Sequence, residues 1–391
     1  MADPTTPAEI VSRAQDLAPV LRRHAPWAEE HRRLHDEVLD SIAAAGLFRL
    51  RVPRRFGGAE CSARTLVEVG SALGRADGSA AWATSVSWIP SWMACQFPDS
   101  VQEEVFADPD VRICGTLSPS AMAVPTDGGI VVNGKWGFIS GAHHSSWQEI
   151  IAILAAPDAE PYPVMALVPT AELLIVDDWD TSGLRGSGSV STVARDLFVP
   201  AERVVPLPVV LEGNGLSAAN AGSPAYRAPL LPVAAASSVG TLLGLARAAE
   251  DVFLARLPHR KITYTGYASQ REAPLTHHQV ARARTAIDRA EFHALRLADT
   301  LDAKGADGTP WKLEERARAR GDLGAVAELA KEAVDVLATA SGGSSVHRDV
   351  PIGRIVRDVH AINLHALIHP DTNAELYGRV LCGLEPDTLY I

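Results

Sequence analysis

The sequence predicts an α+β fold, mostly α, in which a helical domain is followed by a compact block of strands and then by a helical bundle. Three observations carry that reading. Apolar residues recur at three- and four-residue spacing over the first hundred positions, the period changes to two between about Val111 and Pro208, and three long Ala- and Leu-rich stretches fill the remainder. The expected domains are 1–110, an N-terminal helical domain; 111–212, a central β-barrel; and 224–391, a C-terminal four-helix bundle.

Taken in order, Leu34, Val38, Ile42 and Ala45 share one face of a helix that Gly46 ends. A turn-rich connector, Leu47 to Gly58, leads to a second helix through Leu66, Val69 and Leu73. Asp77-Gly-Ser-Ala-Ala-Trp82 opens a third helix, which carries Trp82, Trp88 and Trp92. Those indoles read either as core or as the wall of a pocket for a flat aromatic substrate. Short apolar segments then alternate with turns: Ile130-Val-Val132, Glu149 to Ala155, Val164 to Pro169 and Ser191 to Pro200. Gly183-Leu-Arg-Gly-Ser-Gly-Ser189 is glycine-rich but lacks the GxGxxG order and the strand-turn-helix setting of a dinucleotide fold, so a Rossmann reading is rejected. Beyond a linker at about Gly213 to Ser223, the stretches Ala228 to Leu257, Leu275 to Leu301 and Leu313 to Ala340 are long enough to pack as antiparallel helices.

Composition narrows the function classes. A chain of 391 residues, 47% hydrophobic and 21% charged, has the make-up of a globular protein with a substantial core. Its net charge of -11 argues against a nucleic-acid partner or a basic membrane-surface role. The N-terminus lacks the charged-then-apolar layout of a signal peptide and no run of about 18 apolar residues is present, so a cytoplasmic location is expected. Cys61, Cys95, Cys114 and Cys382 have no framework spacing and read as buried free thiols. The 13 histidines contain no HExxH-like set, and no metal is expected.

One stretch has the features of a cofactor-facing strand end. Asn133-Gly134 is a tight-turn signal; Trp136 and Phe138 follow, then the hydroxyl of Ser140 and the open backbone of Gly141. An aromatic wall, a fixed hydroxyl and room for close approach suit a flat ring with polar edges, although barrel packing uses the same residues.

Six segments in this order resemble the acyl-CoA dehydrogenase superfold, and within it the two-component flavin-dependent monooxygenases. They are Gly46 to Gly58, Asp77 to Trp82, Gly134 to Gly141, Gly183 to Ser187, Ser341-Gly-Gly-Ser-Ser345, and Arg357-Asp-Val-His-Ala-Ile-Asn-Leu-His365. In many dehydrogenases of this kind a Glu-Gly base follows shortly after an Arg-Asp pair. Here His360, His365 and Ala366 follow Arg357-Asp358, and no Glu occurs before Glu375. The monooxygenases instead carry a Ser or Thr at the position matching Ser140 and a His at the position matching His365. The resemblance therefore implies a hydroxylase that uses reduced flavin and O2 through a flavin C4a-hydroperoxide, kept dry and hydrogen-bonded.

It also implies roles. Ser140 would hold the flavin N5 edge, and His365 would act as peroxide-side donor or acid/base. Phe138, Arg260, Gly342 and Gly343 would bind the flavin, Arg260 as part of a basic cluster His259-Arg260-Lys261. Trp82, Trp92 and His360 are the substrate-wall candidates, and core roles are the plainer reading of His360 and His365, five residues apart on a helix. Several phenol hydroxylases of the family have a His where Pro90 stands here. His143, His144 and Trp147 read as structural or rim residues. Reduced FAD or FMN, FAD the first choice, is the implied cofactor, O2 the co-substrate and a separate NAD(P)H:flavin reductase the partner. A homotetramer is implied because the turn at Gly342 often serves a neighbouring subunit's flavin. The expected reaction is hydroxylation of a phenolic, indolic or polycyclic substrate in secondary metabolism. An acyl-CoA dehydrogenase-type FAD oxidoreductase, an N-oxygenase of an amino sugar and a non-catalytic scaffold are the alternatives.

Overall fold

The computed structural model describes residues 6–157 and 160–391. Six helices come first: α1 (Pro7–Asp16), α2 (Ala18–His31), α3 (Asp36–Ala44), α4 (Ala63–Gly74), α5 (Gly78–Ala94) and α6 (Asp99–Val105). Local chemistry sets their ends. The Asp77 carboxylate caps α5 by accepting from the Ala80 N–H at 2.8 Å, and beyond α3 the chain turns at Gly46 with φ +74°.

The strands are β1 (Ile113–Gly115), β2 (Ala121–Thr126), β3 (Gly129–Ile139), β4 (Trp147–Leu154), β5 (Tyr162–Pro169), β6 (Leu174–Val176), β7 (Val190–Pro200) and β8 (Val204–Pro206). They form one sheet in the order β6-β7-β3-β2-β4-β5-β8, with β1 added parallel to β4. Among the described residues β6 and β8 are not hydrogen-bonded to each other, so the barrel is open. Strands β4 and β5 read as near-continuous apolar runs because both their faces are buried. Ile150, Ala152, Val164 and Ala166 face the sheet's own core, while Ile151, Met165 and Leu167 join the helical core.

After a short α7 (Leu207–Leu211) come α8 (Leu230–Arg256), α9 (Pro274–Asp307), α10 (Leu313–Ala340), α11 (Ile352–Asn363) and α12 (Pro370–Leu381). Helix α8 is apolar on every side because α4, α5, α9, α10 and α11 all pack against it. It is long and apolar enough to cross a membrane, yet 94% of its most apolar window is buried in the fold, which makes it the core helix.

Sheet, first helices and bundle meet at the loop Gly183 to Ser189. A side chain at Gly183 would lie 2.1 Å from the Arg357 carbonyl of α11, so only glycine lets the loop sit there. Next to it the Leu184 N–H donates to Asp358 Oδ1 at 2.7 Å. Asp358 also lies against Gly78 at the start of α5. Burial, and then the nearby Asp77 carboxylate, push its pKa up to about 7.

Two expectations change. Helix α11 ends at Asn363, so His365 occupies the following turn and does not share a helix with His360. Cys61, Cys95 and Cys114 are buried free thiols, but Cys382 is exposed because it caps α12 at the surface.

Candidate active site

The site begins at the end of β3. Trp136 pairs with Thr192 and Ile139 with Val190, so two residues of β3 oppose one of β7. This bulge throws Phe138 outward with φ +62° and 74% of its surface exposed. A bulky residue with positive φ is strained, and the neighbourhood must over-determine it. The ring meets Trp179 edge-on at 6.0 Å, leaving one face of Phe138 available to a flat ligand.

Ser140, half-buried, follows at once. Its Oγ receives the Trp82 indole N–H at 3.2 Å and lies 2.7 Å from Ser189 Oγ. Ser189 Oγ is in turn 2.7 Å from Ser187 Oγ, which donates to the Leu184 carbonyl at 2.7 Å. A backbone bond from Gly141 N–H to Ser187 O at 3.1 Å fixes the two segments in register.

Trp82 joins Ser140 to the bundle. Its ring packs edge-to-face on His365 with centroids 5.4 Å apart. The imidazole is reachable by solvent but lies deep among protein atoms, and desolvation lowers its pKa to about 4. At neutral pH the ring is therefore uncharged. Its Nδ1 accepts the Leu367 N–H at 3.2 Å, which puts the proton on Nε2. His365 thus presents an N–H donor.

A second cluster forms at the other end of α11. Arg260 Nη2 lies 3.2 Å from where a Cβ on Gly342 would sit, and Arg256 donates to Ser344 Oγ at 3.3 Å. Gly342 has φ +64° and ψ -177°, a conformation essentially reserved for glycine. Gln270 holds the parts together: its N–H donates to the Arg260 carbonyl at 2.7 Å and its side chain to the Ala340 carbonyl at 2.8 Å. Among the described residues, the buried Nη1 atoms of both arginines have no hydrogen-bond partner. Two guanidinium groups with free donors beside an open glycine turn suit a phosphate or diphosphate. Gly343 has open space where a side chain would sit. The residues present therefore fit the ring of a flavin at one place and the phosphates of a flavin nucleotide at another.

Several expected members do not join. Trp92 is 0% exposed and spends its N–H on the Ala225 carbonyl at 2.7 Å, so it is core and not substrate wall. Trp88 is likewise buried, bonded to the Leu47 carbonyl. His360 turns to α10, where Nε2 meets Asp335 at 2.7 Å beside Lys331, so an ion-pair network and not the Trp82 cluster holds it. In the basic triplet, His259 and Lys261 are exposed, and the second cation of the cluster is Arg256, the last residue of α8, four residues before Arg260. His144 is half-buried beside the Ser140 loop, where desolvation lowers its pKa to about 4. One His-His-Glu group, His24, His35 and Glu37, comes within 4.8 Å, but its donors are already engaged: His24 and Arg23 bond the Glu37 carboxylate and His35 accepts the Glu37 N–H.

Sequence reasoning missed Ser187, Ser189, Trp179 and Arg256. The serines stood in the glycine-rich loop already singled out, and Arg256 stands four residues before Arg260, across the short 3-10 turn that follows α8.

Residues 13–106 match the acyl-CoA dehydrogenase N-terminal domain and residues 236–370 its C-terminal domain. With the helix-sheet-bundle order, this defines the class: an acyl-CoA dehydrogenase fold. The chain is 30% identical over 386 residues to the flavin-dependent monooxygenase oxygenase subunit HsaA of Mycobacterium tuberculosis, covering 97% of each. It is 29% identical over 395 residues to the FADH(2)-dependent resorcinol hydroxylase, oxygenase component, of Rhizobium sp., covering 97% of this chain and 96% of that protein. The structure of XiaF from Streptomyces sp. in complex with FADH2 and glycerol superposes with a TM-score of 0.93 at 30% identity, over 98% of this chain and 97% of that one. The chain belongs to the flavin-dependent monooxygenases of this fold, as an oxygenase component.

Proposed function

We propose that this oxygenase takes reduced flavin from a separate NAD(P)H:flavin reductase and hydroxylates a phenolic, indolic or polycyclic aromatic substrate with O2. The observation that carries the reading is the convergence of Ser140, Trp82 and His365, drawn from three parts of the chain onto one indole ring. The flavin, when bound, supplies the activation of O2. Ser140 holds the N5 edge, Phe138 covers a ring face and Trp82 walls the space from water. His365, neutral with its proton on Nε2, stabilises negative charge developing on oxygen by donating a hydrogen bond. Its Nδ1 is occupied by the Leu367 N–H, so it serves as donor before it serves as base.

The cluster of Arg256, Arg260, Gly342 and Gly343 holds the phosphate end. Two guanidinium groups favour a diphosphate, hence FAD over FMN. Helix α11, 12 residues and about 18 Å long, lies in the chain between the turn at Gly342 and His365. In this reading the cluster serves the flavin of a neighbouring chain in a homotetramer.

The test is anaerobic loading with chemically reduced FAD or FMN, followed by O2 and a panel of phenols and indoles. Hydroxylated product is expected, with Ser140→Ala and His365→Ala diverting oxygen to H2O2. Reoxidation at the rate of free flavin with no product, together with flavin reduction on adding an acyl thioester, would favour a dehydrogenase instead.

A further inference from the structure

The hydroxyl chain behind Ser140 has only one consistent direction. Ser187 Oγ lies 2.7 Å from the Leu184 carbonyl oxygen, a distance at which two oxygens repel unless a proton lies between them, so the Ser187 proton is spent there. The 2.7 Å bond between Ser187 and Ser189 must then be donated by Ser189. With the Ser189 proton used, the 2.7 Å bond between Ser189 and Ser140 must be donated by Ser140. Ser140 also accepts the Trp82 N–H. A serine hydroxyl has one proton and two lone pairs, so Ser140 keeps a single lone pair and no proton for anything outside the chain.

Ser187 and Ser189 are 1% and 4% exposed, so no solvent competes to reset the order. The Leu184 carbonyl that anchors it is fixed from both sides. It receives the Trp179 N–H at 3.0 Å, and the Leu184 N–H is tied to Asp358.

We propose that Ser187 and Ser189 are positioning residues that polarise Ser140 into an obligate acceptor, and thereby make the site select reduced over oxidised flavin. The inference rests on the reading of Ser140 as the partner of flavin N5. Reduced flavin carries N5–H, a donor that the free lone pair matches. Oxidised flavin offers a bare N5, an acceptor, and two acceptors face to face leave both unpaired. An oxygenase fed by a diffusible reduced cofactor gains from such a bias, since spent flavin is released to the reductase.

The experiment measures dissociation constants for oxidised and dithionite-reduced FAD and FMN, anaerobically, in wild type and four variants. Ser189→Ala returns the Ser140 proton to the site, so the oxidised-to-reduced ratio of constants should fall about tenfold, mainly through tighter oxidised binding. Ser187→Ala lets Ser189 donate to Ser140 and should move the ratio the same way. Ser189→Thr keeps the hydroxyl and should keep the ratio. A merely structural role would weaken both redox forms alike. The proposal is overturned if Ser189→Ala and Ser187→Ala leave the ratio unchanged while Ser140→Ala weakens reduced-flavin binding; in that outcome Ser140 still contacts the flavin. If Ser140→Ala changes neither form, the proposal falls together with the reading beneath it.

Discussion

The indole N–H of Trp82 donates to Ser140 Oγ across 3.2 Å, placing a tryptophan of the first helical domain in contact with the last turn of β3. Trp82→Phe keeps the aromatic wall and deletes this bond alone. Product formed per O2 consumed should drop about fivefold, the worth of one neutral hydrogen bond, with the balance appearing as H2O2. Parallel product and peroxide assays check it, and the folded state should lose roughly 1 kcal/mol.

Phe138 offers a case in which stability and binding move in opposite directions. Its φ of +62° costs about 1–2 kcal/mol for an ordinary side chain, and Asn tolerates that conformation. Phe138→Asn should raise the urea midpoint while weakening flavin binding about fivefold through loss of the ring contact. Chemical denaturation and flavin titration of the same sample separate the two effects.

Two titratable groups predict opposite pH slopes. His365 has its folded pKa lowered to about 4 from 6.5, so its share of stability is intact above pH 6.5 and is lost as pH falls towards 4. Asp358 is raised from 3.8 to about 7: the fold holds a proton that the unfolded chain releases, so stability falls as pH rises from about 4 to 7 and is level above. For Asp358, which is buried, each unit is worth about 1.4 kcal/mol at most, and solvent screening leaves His365, whose ring is exposed, a smaller share. Asp358→Asn should abolish the loss between about pH 4 and 7, and His365→Gln the loss between pH 6.5 and about 4, both read from urea midpoints.

At the phosphate end, Arg256→Ala and Arg260→Ala should each weaken FAD and FMN binding by about tenfold or more, as loss of a charge-assisted bond does. Riboflavin, which lacks phosphate, should bind all three proteins alike. Calorimetry with the three flavins decides it, and riboflavin losing affinity in parallel would mean that the arginines support the fold instead.

What was legible in the sequence was mostly local. The strand end at Ser140, the start of α5 at Asp77 and the long helices of the bundle all announce themselves through neighbours or through period. Trp92 could have been set apart by arithmetic: ten residues along a helix carry it about 15 Å from Trp82, too far to share a wall. Arg256 was readable as a further cation four residues before Arg260 in the same basic stretch. The role of Ser187 and Ser189 was not readable, because it exists only once a loop 49 residues beyond Ser140 folds back on it. The environment of His365 was equally hidden, since desolvation by neighbours distant in the chain, with no counter-charge, leaves no mark on spacing.

The distance along α11 has a genetic consequence. If the arginine cluster of one chain grips the flavin whose reacting edge lies beside another chain's His365, no subunit owns a complete site. Two inactive proteins, one carrying Arg260→Ala and the other His365→Ala, would then complement when unfolded and refolded together. In the hybrid, some sites would draw their arginine from one parent and their histidine from the other, and activity would return from a mixture of two dead chains.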